Sequence, residues 1–184
     1  MSLAKSLEKK KPAIINRWFN LVVETYPPDT RRFIKNQKDP FSNPVGQTTR
    51  QGLIELLTDT IEKSDRKTIV AHLDPIIRIR AVQDFSPSKA VAFIPDLKKI
   101  VRELVENELY AKEMFDQWFE FEHRVDALTL VAFDVFVSCR EKIYELKTQF
   151  EKKHVYKAFS RAGLINEEPD NGQDFGSPQG CGNK

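Results

Sequence analysis

An all-α fold is what this sequence predicts, a single-domain helical bundle with one long C-terminal helix. Three observations carry it. Of seven glycines, only Gly46, Gly52 and Gly163 precede the tail that begins at Asn166. The body holds none of the Asn-Gly or Asp-Gly pairs that close hairpins. Its prolines stand where helices start or stop, and apolar residues recur at spacings of three and four.

The first helix starts at Leu3 or Pro12 and reaches Tyr26, with Ile14, Ile15, Trp18, Phe19, Val22 and Val23 as its buried stripe. "YPPD", Tyr26 to Asp29, ends it, because two prolines cannot continue the hydrogen-bond ladder. A short helical turn then holds Phe33 and Ile34. In "DPFSNPVG", each proline pushes its predecessor out of the α region. Asn43 is suited to cap a helix and Pro44 to begin it. That helix reaches about Ser64, with Leu53, Ile54, Leu56, Leu57 and Ile61 inward, and Phe41 is expected to wedge into the bundle. A further helix covers Asp65 to Asp84, with a kink or a break at Pro75; its apolar members are Ile69, Val70, Leu73, Ile76, Ile77 and Val82. In "FSPSKAVAF" Ser86 is the cap, Pro87 the first helical residue, and Phe85 a staple onto Ala90 or Val91. Pro95 restarts the helix ahead of Leu97, Ile100, Val101, Leu104 and Val105.

The longest helix runs from near Tyr110 to about Val155, with Glu122 the place where a break is expected if there is one. Val125, Leu128, Ala132, Val135 or Phe136, Cys139, Ile143, Leu146 and Phe150 form a near-heptad stripe. Between Leu128 and Val137 the apolar face widens almost all round, as in a central helix or one covered by a second subunit. Gly163 is a natural C-cap. The domain is therefore expected over 1–165, and the segment 166–184 reads as a polar, Gly/Pro-rich tail that cannot order itself.

The net charge of +2 divides unevenly: four acids against one lysine leave the tail at −3 and the body at +5. Lys5, Lys9, Lys10 and Lys11 are the one dense basic run, without the interleaved aromatics of a nucleic-acid face. No apolar run approaches the ~20 residues that span a bilayer. The N-terminus has no signal-peptide core, so a cytoplasmic protein is expected, with neither nucleic acid nor membrane insertion. Cys139 and Cys181 make neither a disulfide framework nor a zinc set; a redox role for Cys181 is weighed against an incidental thiol.

Glu120 with His123, and Glu151 with His154, form two E-x-x-H pairs of the kind that hold di-iron sites in bundles. On one continuous helix they stand about 46 Å apart, too far to share a metal within one subunit. His72, near Pro75, is the haem-ligand alternative, set against a hydrogen-bonded structural histidine. No nucleophilic triad, phosphate loop or acid–base pair is present at a recognisable spacing, so no catalytic residue and no cofactor is expected. Asp126 and Asp134 lie about two turns apart on the apolar centre of the long helix, where a carboxylate must be paired or exposed. Arg78, Arg80 and Arg140 are the expected partners. Arg80, Gln83, Asp126, Phe133, Asp134 and Val137 are the candidates for a sensing pocket or a dimer seam, and Asp84 is weighed with Arg80 and Gln83.

"TYPPDTRRF", "DPFSNPVG", "RIRAVQDFSPSKAVAF" and "AFDVFVSCREKIYELK" occur in that order, and together they resemble the N-terminal domain of the RsbT co-antagonist proteins, the RsbR/RsbRD sensor class. The likeness covers roughly Ile14 to Leu164. It implies a globin-like helical domain without haem, usually dimeric, that receives a signal and passes it to an output such as the STAS domain of a stressosome. It supplies no catalytic residues. Only a short tail follows Leu164, so output is expected to pass through another protein chain. The expected function is a stand-alone regulatory module of stress-response type acting by protein–protein contact, and a homodimer. A haem or di-iron bundle with a redox or gas-sensing role, and a structural adaptor for a membrane redox complex, are the alternatives.

Overall fold

The computed structural model describes residues 2–164, apart from Lys38, Pro40, Asp84, residues 109–111 and the side chains of Asn107, Lys112 and Glu113. Tyr110, Asp84, Cys181 and the tail therefore lie outside the described residues. Seven α-helices and one 3-10 turn are found, with no strand among the described residues: α1 Leu3–Glu24, α2 Pro28–Asn36, α3 Pro44–Glu62, α4 Arg66–Val82, α5 Pro87–Val91, α6 Asp96–Val105, the 3-10 turn Glu106–Glu108, and α7 Lys112–Arg161. No helix among them is long and apolar enough to cross a membrane. The chain divides into two compact units, the first ending at Ile143 and the second beginning at Tyr144.

In the first unit α1 begins at Leu3 and passes through Pro12 without ending. The two turns before the proline are held by packing and by long-range hydrogen bonds, which outweigh one lost ladder bond. Leu3, Ser6 and Leu7 are buried. Leu3 N donates to Gln117 Oε1 at 2.7 Å, and Ser6 Oγ and Lys10 Nζ both donate to the Glu108 carboxylate. The same compensation keeps α4 whole across Pro75, so the expected break is absent.

Asn43 organises the corner between α2 and α3. Its Oδ1 accepts from Gly46 N at 2.9 Å, capping α3, and its Nδ2 donates to the carbonyls of Ile34 and Gln37 at the end of α2, both at 2.9 Å. A Cβ on residue 46 would lie 2.4 Å from the Asn43 side chain, so glycine is required there. Phe41 does not wedge into the bundle: it is 96% exposed, because the polar Asn43 takes the buried place at this corner. At the far end α3 stops on Lys63, which takes a left-handed conformation with φ of 61°.

Gly52 lets α3 and α4 approach closely, since a Cβ there would meet Ile76 Cδ1 at 2.5 Å. Ser86 precedes Pro87 as expected, but its side chain makes no capping hydrogen bond. One core joins Ile14, Trp18 and Val22 of α1 to Leu53, Leu56 and Leu57 of α3, Leu73, Ile76 and Ile77 of α4, Leu97 and Val101 of α6, and Phe121, Val125 and Phe136 of α7. Within it the Trp18 indole N–H donates to the Phe93 carbonyl at 2.6 Å.

α7 starts at Lys112 and shows no break at Glu122 or before Arg161. In the second unit its residues Tyr144, Leu146, Phe150, Val155 and Phe159 are exposed, and the Phe150 and His154 rings meet edge-on at 5.1 Å. Gly163, with φ of 69°, follows the helix end as expected, and Leu164 N returns to the Phe159 carbonyl at 3.0 Å.

Candidate functional site: an outer helix face and a buried arginine

Two arrangements in the first unit gather the residues singled out from the sequence. The first is the outer face of α7. Trp118, Phe121, Val125, Leu128, Ala132 and Phe136 follow one another at three and four and are buried. Opposite them stand Phe115, Phe119, Leu130 and Phe133, with Leu130 70% and Phe133 43% exposed. Val137, half-buried, continues the line one turn past Phe133. Helical spacing sets Asp126 and Asp134 one turn to either side of Leu130.

Both aspartates are exposed, and their partners differ from those expected. Asp126 accepts from Lys98 Nζ at 2.6 Å and Asp134 from Arg66 Nη2 at 2.9 Å. Arg78 is taken by Asp74 one turn before it, and Arg140 donates to the Ala81 carbonyl at 3.1 Å. Salt bridges chosen by the folded packing of distant helices could not be read from spacing along one helix. Leu130 was missed as a seam residue; its place three before Phe133 and four after Asp126 was the available signal.

The second arrangement surrounds Arg80, in the last turn of α4. Its side chain is 1% exposed. Nη2 donates to Thr25 Oγ1 at 3.2 Å and to the Lys89 carbonyl at 3.1 Å. The rings of Phe85, Phe93 and Tyr26 lie 4.2, 5.4 and 5.8 Å from the guanidinium carbon. Burial pushes the Arg80 pKa down, and burial pushes the Tyr26 hydroxyl up against the opposing effect of Arg80 and Gln83. The structure thus brings Arg80 and Gln83 to one place through Tyr26, while Asp126, Phe133, Asp134 and Val137 belong to the α7 face. Thr25 and Tyr26, some 55 residues earlier in the chain than Arg80, carried no sequence signal for this role.

The metal alternatives do not converge. His72 Nδ1 lies 2.7 Å from Asp59 Oδ2, bridging α3 and α4. Glu120 pairs with Lys63 and Arg124 on the surface, and His123 is exposed. Among the described residues no group of three or more His, Cys, Asp or Glu side chains is placed to hold a metal.

An all-α domain with a sealed core, a long helix and polar residues spent on packing is the architecture of a regulatory domain. The model of the RsbT co-antagonist protein RsbRD N-terminal domain matches residues 12–149, and the chain belongs to that family of stress-response signalling domains. Its members function within protein–protein signalling complexes, and it is not a known enzyme family. Comparison with curated proteins and comparison with solved structures each return no match.

Proposed function

We propose that this chain is a non-catalytic sensor module that works in the cytoplasm by protein–protein contact, and that the outer face of α7 in the first unit is its homodimer seam. The observation that carries this reading is the exposure of Leu130 and Phe133 on the side of α7 turned away from the core. Large apolar side chains at successive turns, flanked by neutralised aspartates, are what a helical interface presents. Asp126 and Asp134 then set register, because each already has its cation in the same chain and tolerates only an arrangement that keeps it solvated or paired. A signal or partner would act by binding one packing of α7 better than another, and only that difference in affinity shifts the equilibrium. The free, half-buried thiol of Cys139 suits a reducing compartment.

Sedimentation velocity of the whole chain tests the seam. A dimer is expected at micromolar concentration. Leu130→Glu with Phe133→Glu should convert it to monomer while the far-ultraviolet dichroism stays helical. A monomeric wild type, or a dimer indifferent to both substitutions, would overturn the seam.

A further inference from the structure

Three buried polar atoms without a partner among the described residues belong to two neighbouring side chains at the carboxyl end of α4. They are Nε and Nη1 of Arg80 and Oε1 of Gln83. No carboxylate among the described residues forms an ion pair with Arg80. The three aromatic rings around it soften the cost of a buried cation, yet rings satisfy neither N–H group. Buried charges in native proteins are paired, and buried polar atoms are bonded, so this cluster is chemically incomplete. The Tyr26 hydroxyl is bonded to both side chains, which places the three atoms in one locality.

We propose that Arg80, Gln83 and Tyr26 form a binding point for a small oxyanion that also carries an O–H or N–H group. The guanidinium asks for negatively charged acceptors; the Gln83 carbonyl oxygen asks for a donor. Dihydrogen phosphate and small hydroxycarboxylates such as lactate satisfy both demands, whereas acetate satisfies only the first. A water would bond to these atoms and leave the charge uncompensated. The site joins the end of α1, the end of α4 and the carbonyl of Lys89 in α5, so an occupant would tie three segments together. This deepens the sensor reading by naming a ligand class, and rests on it only for the use to which binding is put.

Titration calorimetry and thermal melting of the whole chain provide the test, with sodium phosphate, sodium lactate and sodium acetate each compared with sodium chloride at equal ionic strength. Saturable binding of phosphate or lactate is expected, with a midpoint raised by several degrees at about a hundredfold excess over Kd. Which of the two binds identifies the source of the oxyanion. Acetate should bind at least tenfold more weakly, and Gln83→Met should weaken the preferred anion at least tenfold while leaving the fold intact. Arg80→Lys should weaken it further. Should the Arg80 variant fail to fold, Gln83→Met decides alone. Midpoints that are equal in all four salts, or a Gln83→Met protein that binds as wild type does, would overturn the proposal. Sedimentation reads the α7 seam separately, so loss of one reading is distinguishable from loss of the other.

Discussion

His72 Nδ1 sits 2.7 Å from the Oδ2 of Asp59, a carboxylate that is 5% exposed and holds α3 to α4 across their shared groove. Asp59 also ends its own helix, since its carbonyl accepts from Ser64 N at 3.1 Å. Removing one partner leaves the other buried and unsatisfied, which costs about 1–3 kcal/mol. His72→Leu should therefore lower the chemical-denaturation free energy by that amount. A His72→Leu, Asp59→Leu double variant should recover part of it, because an apolar pair strands nothing.

Gly52 and Ile76 define the closest approach of α3 and α4. Gly52→Ala gains helix propensity but drives a methyl group to within 2.5 Å of the buried Ile76 Cδ1. Overpacking should win, with a net loss of about 1 kcal/mol or more. Ile76→Val removes that Cδ1. In a double-mutant cycle the two substitutions together should cost less than their sum, and strict additivity would show that the contact is relaxed elsewhere.

Trp18→Phe takes the N–H from a hydrogen bond to the Phe93 carbonyl and leaves that carbonyl buried. A loss of about 2 kcal/mol or more is expected from the stranded acceptor and the unfilled volume. Urea denaturation followed by circular dichroism measures it, since the substitution also removes a fluorophore.

Asp134 and Arg66 form an exposed pair, with side chains 63% and 65% accessible. Solvent screening limits such a pair to under about 1 kcal/mol. Asp134→Lys should leave the unfolding free energy of the monomer nearly unchanged, measured under conditions where the chain does not self-associate. If it alters the sedimentation coefficient at higher concentration, the charge acts between copies of the chain.

The hydrogen bond from Lys10, and after it that from Ser6, hold the Glu108 carboxyl below its ordinary value of 4.5. The folded state then binds fewer protons than the unfolded state as the pH falls past that value. Stability contributed by Glu108 is complete above it and is lost as the medium becomes more acid. Glu108→Gln should flatten the acid limb of a melting-temperature profile and leave the neutral limb parallel to wild type. A profile that keeps the wild-type acid slope would place the acid sensitivity in other carboxylates.

Helix starts were the most legible part of the molecule. Asn43 before Pro44 and Ser86 before Pro87 mark them because cap chemistry is local. Pro12 and Pro75 misled for the complementary reason: whether a helix survives an internal proline depends on what its far side touches, and those contacts come from α7 and from α3. Arg80 and Gln83 could be singled out as polar residues among apolar ones. The rings that enclose Arg80 come from three other parts of the chain, Tyr26, Phe85 and Phe93, and long-range convergence leaves no periodic trace. Asp126 and Asp134 were correctly read as paired or exposed. Lys98 and Arg66 as their partners follow only from the folded arrangement.

The corner at Asn43 also bears on how long the molecule lasts. Asparagine side chains commonly age when the next backbone nitrogen attacks the amide carbon, expelling ammonia and leaving aspartate. An aspartate at 43 would turn a carboxylate oxygen toward the Ile34 and Gln37 carbonyls and undo the joint between α2 and α3. The next nitrogen belongs to Pro44, which carries no proton and cannot make that attack. The residue that opens α3 thus protects the amide on which the joint depends, and this corner should outlive the exposed asparagines in stored protein.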